Sequence, residues 1–158
     1  MGKNIHSLWK TKMLKPLLHL SAGILMIWTM PLACADCFED AARYQSVNPQ
    51  ILRAIAWLES RNRADAVHKN NNGSTDYGLM QINSVHLAAL SRYGIVPEML
   101  MHPCVSIYIA AWHLRQKMNR HGNTWQAVGA YHSEKPERRH WYARQIIQIL
   151  RKQSMSKE

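Results

Sequence analysis

Residues 48–83 read NPQILRAIAWLESRNRADAVHKNNNGSTDYGLMQIN. Asn48 followed by Pro49 is a helix start, a side-chain cap and then a ring that presets φ. Ile51, Leu52, Ile55, Ala56 and Leu58 fall at helical intervals, and the spacing predicts a helix over Pro49 to Ser60. Glu59 lies seven residues after Leu52 and four after Ile55, so the three share one face. The pattern therefore turns a carboxyl group toward the apolar side, at the C-terminal end of a helix. Desolvation and the negative end of the helix dipole both raise a carboxyl pKa. A carboxyl kept protonated near neutral pH is a proton donor of the kind a glycosidic oxygen requires. The same spacing also allows a rim glutamate with its head in water, the usual fate of Glu, and periodicity alone favours that reading.

The character changes downstream. Arg61 to Thr75 is polar, and Asn70-Asn71-Asn72-Gly73-Ser74-Thr75 reads as a turn or hairpin tip. Asp76 to Asn83, DYGLMQIN, is too short for periodicity to decide between helix and strand. Beyond it, Ser84 is expected to cap a helix to Tyr93 that stops at Gly94, with one loose turn over Pro97 to Met101. A longer helix is expected from Cys104 to His121. A further helix, capped by Asn123 or Thr124, should run through Tyr131 until Pro136 breaks it. The last is expected over Glu137 to Lys152, with Tyr142, Ile146 and Ile149 on one face. Upstream, Phe38 to Tyr44 forms a short first helix. The chain is thus mainly α with a small polar hairpin or loop segment.

At the N-terminus, Lys3, Lys10, Lys12 and Lys15 precede an apolar run from Leu17 to Met30, and Ala33-Cys34-Ala35 offers small residues at a cleavage site. These are the parts of a secretory signal peptide over residues 1–35. The run is shorter than the roughly 20 residues of a spanning helix, so a membrane role is confined to this segment if it stays uncleaved. One domain is expected over residues 36–152, then a polar tail over 153–158. Without its first 35 residues the chain keeps 16 basic and 10 acidic side chains, a net charge of +6 rather than +10. That sign suits nucleic acid, an anionic membrane or an anionic polymer, and export argues against nucleic acid. Cys37 and Cys104 remain, and an oxidising compartment invites one disulfide between them, the other possibility being two buried thiols. The closed loop would contribute roughly 3–4 kcal/mol by the chain-entropy model.

Four elements occur in order: Glu59 with Ser60, the GLMQIN segment from Gly78 to Asn83, Ala130-Tyr131, and Tyr142 in the last helix. Together they resemble the SLT-type lytic transglycosylases and, nearly as closely, the animal-type lysozymes, over about the whole mature chain. The match is closest to the small transglycosylases that accompany type III and type IV secretion, conjugation and pilus machines, which share the Asp36-Cys37 and Pro103-Cys104 pairs.

The resemblance implies a lysozyme-like fold and a periplasmic enzyme acting on peptidoglycan glycan strands beside an envelope-spanning secretion or pilus component. It makes Glu59 the acid and base, protonating the oxygen between N-acetylmuramic acid and N-acetylglucosamine and then taking a proton from the muramic C6 hydroxyl, to leave a 1,6-anhydro product. Ser60, Met80, Gln81, Asn83, Tyr131, His132 and Tyr142 become candidate substrate-cleft residues, with Tyr131 as the tyrosine near the acid. Gly78, lacking a Cβ, would let backbone approach the glycan. Asp76, in a D-Y-G context as in lysozymes, either stabilises charge at C1 or supports hydrolysis. As a plain turn residue it would need neither role.

The chain departs from the family at Ala130-Tyr131-His132-Ser133-Glu134, where most members read A-Y-N-A-G. His132 can stand in for the Asn and add pH dependence. That departure keeps alive a second class of function, a poorly active peptidoglycan-binding adaptor; Glu59, Asp76, Gln81 and Asn83 all being present argues for the enzyme. No HExxH pair, Walker A loop or G-x-S-x-G elbow occurs, so no metal and no cofactor is expected. Trp57, Trp112, Trp125 and Trp141 are expected mostly in the core, with one able to stack on a sugar. The basic run Lys135 to Arg144 reads as a solvated helix face, or equally as a surface that docks against wall polymer or a machine component.

Overall fold

Asp36 caps the first helix. Its carboxylate accepts from the Phe38 N–H at 3.0 Å, satisfying one of the donors a helix start leaves without a partner. The computed structural model describes residues 36–156; the expected signal peptide lies outside them. Helix α1 spans Cys37–Gln45 and α2 spans Pro49–Ser60. Asn48 caps α2 as its sequence requires, its side chain accepting from Gln50 N at 2.8 Å. The helix ends because Arg61 turns into the left-handed region. Leu52, Ala54, Ile55 and Ala56 are fully buried, so the apolar face is where the spacing put it.

The segment of undecided periodicity is neither helix nor single strand. Strand β1 (Val67–Lys69) pairs antiparallel with β2 (Thr75–Tyr77), and β2 pairs antiparallel with β3 (Ile82–Asn83). The polar run at 70–74 forms the tip of the first hairpin, as expected. Between β2 and β3 the chain reverses over Gly78 to Gln81, with positive φ at both ends of that turn. A Cβ on Gly78 would run into the carbonyl of Leu100. The missing side chain therefore admits the chain's own backbone, not a glycan as the sequence reading had it.

After β3 the expected single helix is broken into a 3-10 turn (Ser84–His86), the short helix α3 (Leu87–Leu90) and a second 3-10 turn (Ser91–Tyr93). Its cap is Asn83, not Ser84, and the Ser84 hydroxyl instead accepts from Thr75 N at 3.0 Å. A third 3-10 turn covers Pro97–Met101. Helix α4 follows over Pro103–His121, α5 over Trp125–Ala130 with Thr124 as cap, and α6 over Pro136–Met155. The last helix passes its expected end at Lys152 and takes in residues 153–155 of the expected tail. Among the described residues no helix is long and apolar enough to cross a membrane.

The core lies where α1, α2, α4, α5 and α6 meet the three-stranded sheet. Leu52, Ile55, Met80, Leu100, Leu114, Tyr142 and Ile146 are its largest fully buried side chains. Burial of such groups, roughly 1.5–3 kcal/mol each, is what holds short helices together. The disulfide Cys37–Cys104 joins the first turns of α1 and α4, and Arg115 on α4 donates to the Gln45 and Ser46 carbonyls at the other end of α1. Three of the four tryptophans expected mostly in the core are exposed: Trp57, Trp125 and Trp141. An indole on a partly polar helix face needs no full burial when other apolar groups already fill the core.

Candidate active site

Glu59 sits one residue from the C-terminus of α2, and two tyrosines arrive beside it from the far side of the chain. The Tyr142 hydroxyl, from α6, donates to Glu59 Oε1 at 2.6 Å. Burial pushes the Glu59 carboxyl up to about 7; the Tyr142 hydrogen bond pulls the other way, and the nearby Asp76 charge raises it further. Both tyrosine hydroxyls are driven well above their ordinary range by burial, so they act as neutral donors. Tyr131 donates not to Glu59 but to the Met80 carbonyl at 3.0 Å. The tyrosine bonded to the acid is therefore Tyr142, while Tyr131 stacks on Tyr142, ring centroids 6.3 Å apart.

Asp76 stands in the middle of β2, opposite Asn83 on β3 and His68 on β1. Asn83 Nδ2 donates to its Oδ1 at 2.6 Å and Asn70 Nδ2 to its Oδ2 at 2.8 Å. The hairpin tip is thus knitted to the carboxylate it surrounds. Asn83 also caps the following turn through its own Oδ1. Gln81, at φ 48°, spends its Nε2 on the Ala66 and Gly78 carbonyls, which leaves its carbonyl oxygen for a ligand.

Glu59, Asp76, Gln81, Asn83, Tyr131 and His132 line one cleft of about 740 Å³, a size ordinary for a ligand site. Three other expected substrate contacts lie elsewhere. Met80 is fully buried, and its side chain belongs to the core. Ser60 is buried with its hydroxyl donating to the Leu79 carbonyl at 2.7 Å, which ties the end of α2 to the sheet turn. Tyr142 is 1 % exposed and stands behind the acid, not at the cleft surface.

The segment 131–135 between α5 and α6 is held from outside. Glu134 accepts from Lys117 at 2.7 Å, Arg120 at 3.1 Å and His121 at 3.0 Å, all on the last turns of α4. The Lys117 bond, with His121 adding to it, draws the Glu134 carboxyl down to about 2. His132 then lies parallel to the Tyr142 ring at 5.0 Å, so the replaced His-Ser-Glu run still buttresses the tyrosine that holds the acid.

A family model described as the transglycosylase SLT domain matches residues 36–149. The chain belongs to this family. As a transglycosylase SLT protein it is a lytic transglycosylase, and the family's substrate is peptidoglycan. The X polypeptide of Escherichia coli is 41% identical over 122 residues, covering 73% of this chain and 72% of that one. Protein IpgF of Shigella flexneri is 43% identical over 111 residues, 70% of this chain and 73% of its own. Invasion protein IagB of Salmonella typhimurium is 39% identical over 136 residues, 82% and 85% respectively.

In this SLT domain the cleft includes residues that sequence reasoning did not place there. Asn70 was read only as a turn residue; its bond to Asp76 depends on the hairpin closing. Trp112, Ile109 and His113 come from α4, and His86 from the turn after β3. The His86 and His113 rings lie 4.8 Å apart. Burial lowers both, His113 to about 4, so they are neutral at physiological pH. Of the tryptophans, Trp112 is the one on the cleft, the position in which an indole can stack on a sugar ring. Arg138 also reaches the cleft from the basic run read as a solvated face.

Proposed function

We propose that the enzyme cleaves the β-1,4 bond between N-acetylmuramic acid and N-acetylglucosamine without water, leaving 1,6-anhydro-muramic ends. Glu59 donates its proton to the glycosidic oxygen as the C1–O bond breaks. The resulting carboxylate takes the proton of the muramic C6 hydroxyl as that oxygen bonds to C1. Asp76, fixed by Asn83 and Asn70, stabilises positive charge at C1 between the two events. Gln81, Asn83, Tyr131 and His132 line the path of the glycan.

The observation that carries this reading is the Glu59 carboxyl, held near pKa 7 against the Tyr142 hydroxyl. A group poised at the working pH gives and takes a proton with similar ease, which a single acid–base residue must do. We further infer that residues 1–35 export the chain to the periplasm, where it opens the wall locally for a secretion, conjugation or pilus apparatus. The sequence resemblance to the small secretion-linked transglycosylases supports that setting, and one relative bears the name invasion protein.

Digestion of purified sacculi with the exported protein, followed by mass spectrometry of the sugar ends, tests the chemistry. Anhydro ends are expected, and they should vanish with Glu59→Gln. Reducing ends would instead favour the lysozyme-like hydrolysis that Asp76 also permits.

A further inference from the structure

The cleft walls are mostly uncharged. Asn70, Asn71, Asn72, Gln81 and Asn83 bring amides, which suit the hydroxyl and acetamido groups of a neutral glycan. The two cleft carboxyl groups are engaged: Glu59 by Tyr142, and Asp76 by Asn70 and Asn83. Three histidines line the space, and burial lowers each of them, so none is a standing positive charge at neutral pH. Among the cleft-lining residues that leaves one fixed cation, Arg138 on α6. Its guanidinium makes no ion pair or hydrogen bond with a described residue. Its neighbour Glu137 does not pair with it. Its charge is felt at His132, so it stands at the His132 end of the cleft.

A guanidinium is built to grip carboxylates with two parallel N–H bonds. The sugar backbone of peptidoglycan offers it none. The carboxylates of this polymer lie on the muramic side group: the lactyl carboxylate where no peptide is attached, and the carboxylates of the stem peptide where one is amide-linked to it. We infer that Arg138 binds a carboxylate of the muramic side group, and so selects glycan strands by what their sugars carry. The inference rests on the reading of this cleft as the glycan site.

Three ligands of equal sugar count test it on the exported protein carrying Glu59→Gln, which binds without turnover. They are chitohexaose, a peptide-free muramyl oligosaccharide with lactyl carboxylates, and the same strand bearing stem peptides. Affinity is read from tryptophan fluorescence or calorimetry, with and without Arg138→Gln and Arg138→Lys. Arg138→Gln is expected to weaken a carboxylate-bearing ligand roughly tenfold while chitohexaose binding stays unchanged, and Arg138→Lys to restore part of the loss. A loss confined to the peptide-free muramyl ligand identifies the lactyl carboxylate, a loss confined to the third identifies the peptide, and a loss on both shows that Arg138 takes a carboxylate of either kind. Equal effects on all three ligands, or none on any, would overturn the assignment of Arg138 alone. Failure of every ligand to bind before Arg138 is changed would overturn the glycan cleft itself and this inference with it.

Discussion

The two walls of the cleft bring a carboxyl group to the same space by opposite means. On the helical wall Glu59 is stripped of water by α2 and α6 and meets one hydrogen-bond donor, the Tyr142 hydroxyl. On the strand wall Asp76 is gripped on both oxygens by amide N–H groups from β3 and the hairpin tip. Desolvation favours the protonated form of the first, while the second accepts from two amides. In the proposed mechanism these different surroundings give two side chains one methylene apart in length different roles.

Changing the carboxyls one at a time tests that division most strongly. Glu59→Gln is expected to cut the initial rate of muropeptide release by a factor on the order of 10³ or more. Asp76→Asn, which keeps the shape of the strand wall, is expected to leave roughly one-hundredth to one-tenth of the rate. Equal losses would mean that the two walls share the proton transfer.

A smaller effect should appear in stability. The folded Glu59 titrates at about 7, above the 4.5 of an unperturbed glutamate. Between those values the folded chain keeps a proton that the unfolded chain releases. Stability therefore falls as pH rises from about 4.5 to about 7 and is level beyond. The shift corresponds to roughly 3 kcal/mol. Glu59→Gln removes this titration, so urea melts should show it more stable than its parent at pH 8, with the gap closing toward pH 4.5. A gap independent of pH would show that burial does not set the acid.

The smallest effect sharpens the helical wall alone. The Tyr142 hydroxyl stabilises the carboxylate form of Glu59, so Tyr142→Phe should raise the Glu59 pKa. The alkaline limb of the rate profile should then move up by less than about one pH unit, because a single hydrogen bond contributes about 1 kcal/mol. A downward move would mean that Tyr142 accepts from a protonated Glu59 instead.

The helical wall was also the more legible in sequence. Asn48, Pro49 and the spacing of Leu52, Ile55 and Glu59 fixed the bounds and inner face of α2, because helical periodicity is local to twelve residues. The strand wall was not readable in that way. Its strands are two and three residues long, its turn needs a positive φ at Gln81, and its pairing depends on partners across the hairpin. The same limit explains the site. Glu59, Asp76, Gln81 and Asn83 were found through an ordered motif, yet the motif could not say that Met80 and Ser60 face inward. Nor could it show that Tyr142 rather than Tyr131 reaches the acid, since that depends on how α6 crosses α2. Asn70, Trp112 and Arg138 could not be placed on the cleft from local pattern, being supplied by elements that meet only in the folded chain.

The bridge between Cys37 and Cys104 has a consequence for timing. It fastens the second residue of the expected mature chain to α4, the helix that supplies Trp112 and His113 to the cleft. No cleft residue belongs to α1, so the bond braces the cleft without joining its chemistry. If the chain is exported as proposed, the thiols remain open on the reducing side of the membrane and close only on the oxidising side. The last brace on a wall-cutting enzyme would then be fitted on the side of the membrane where the wall is.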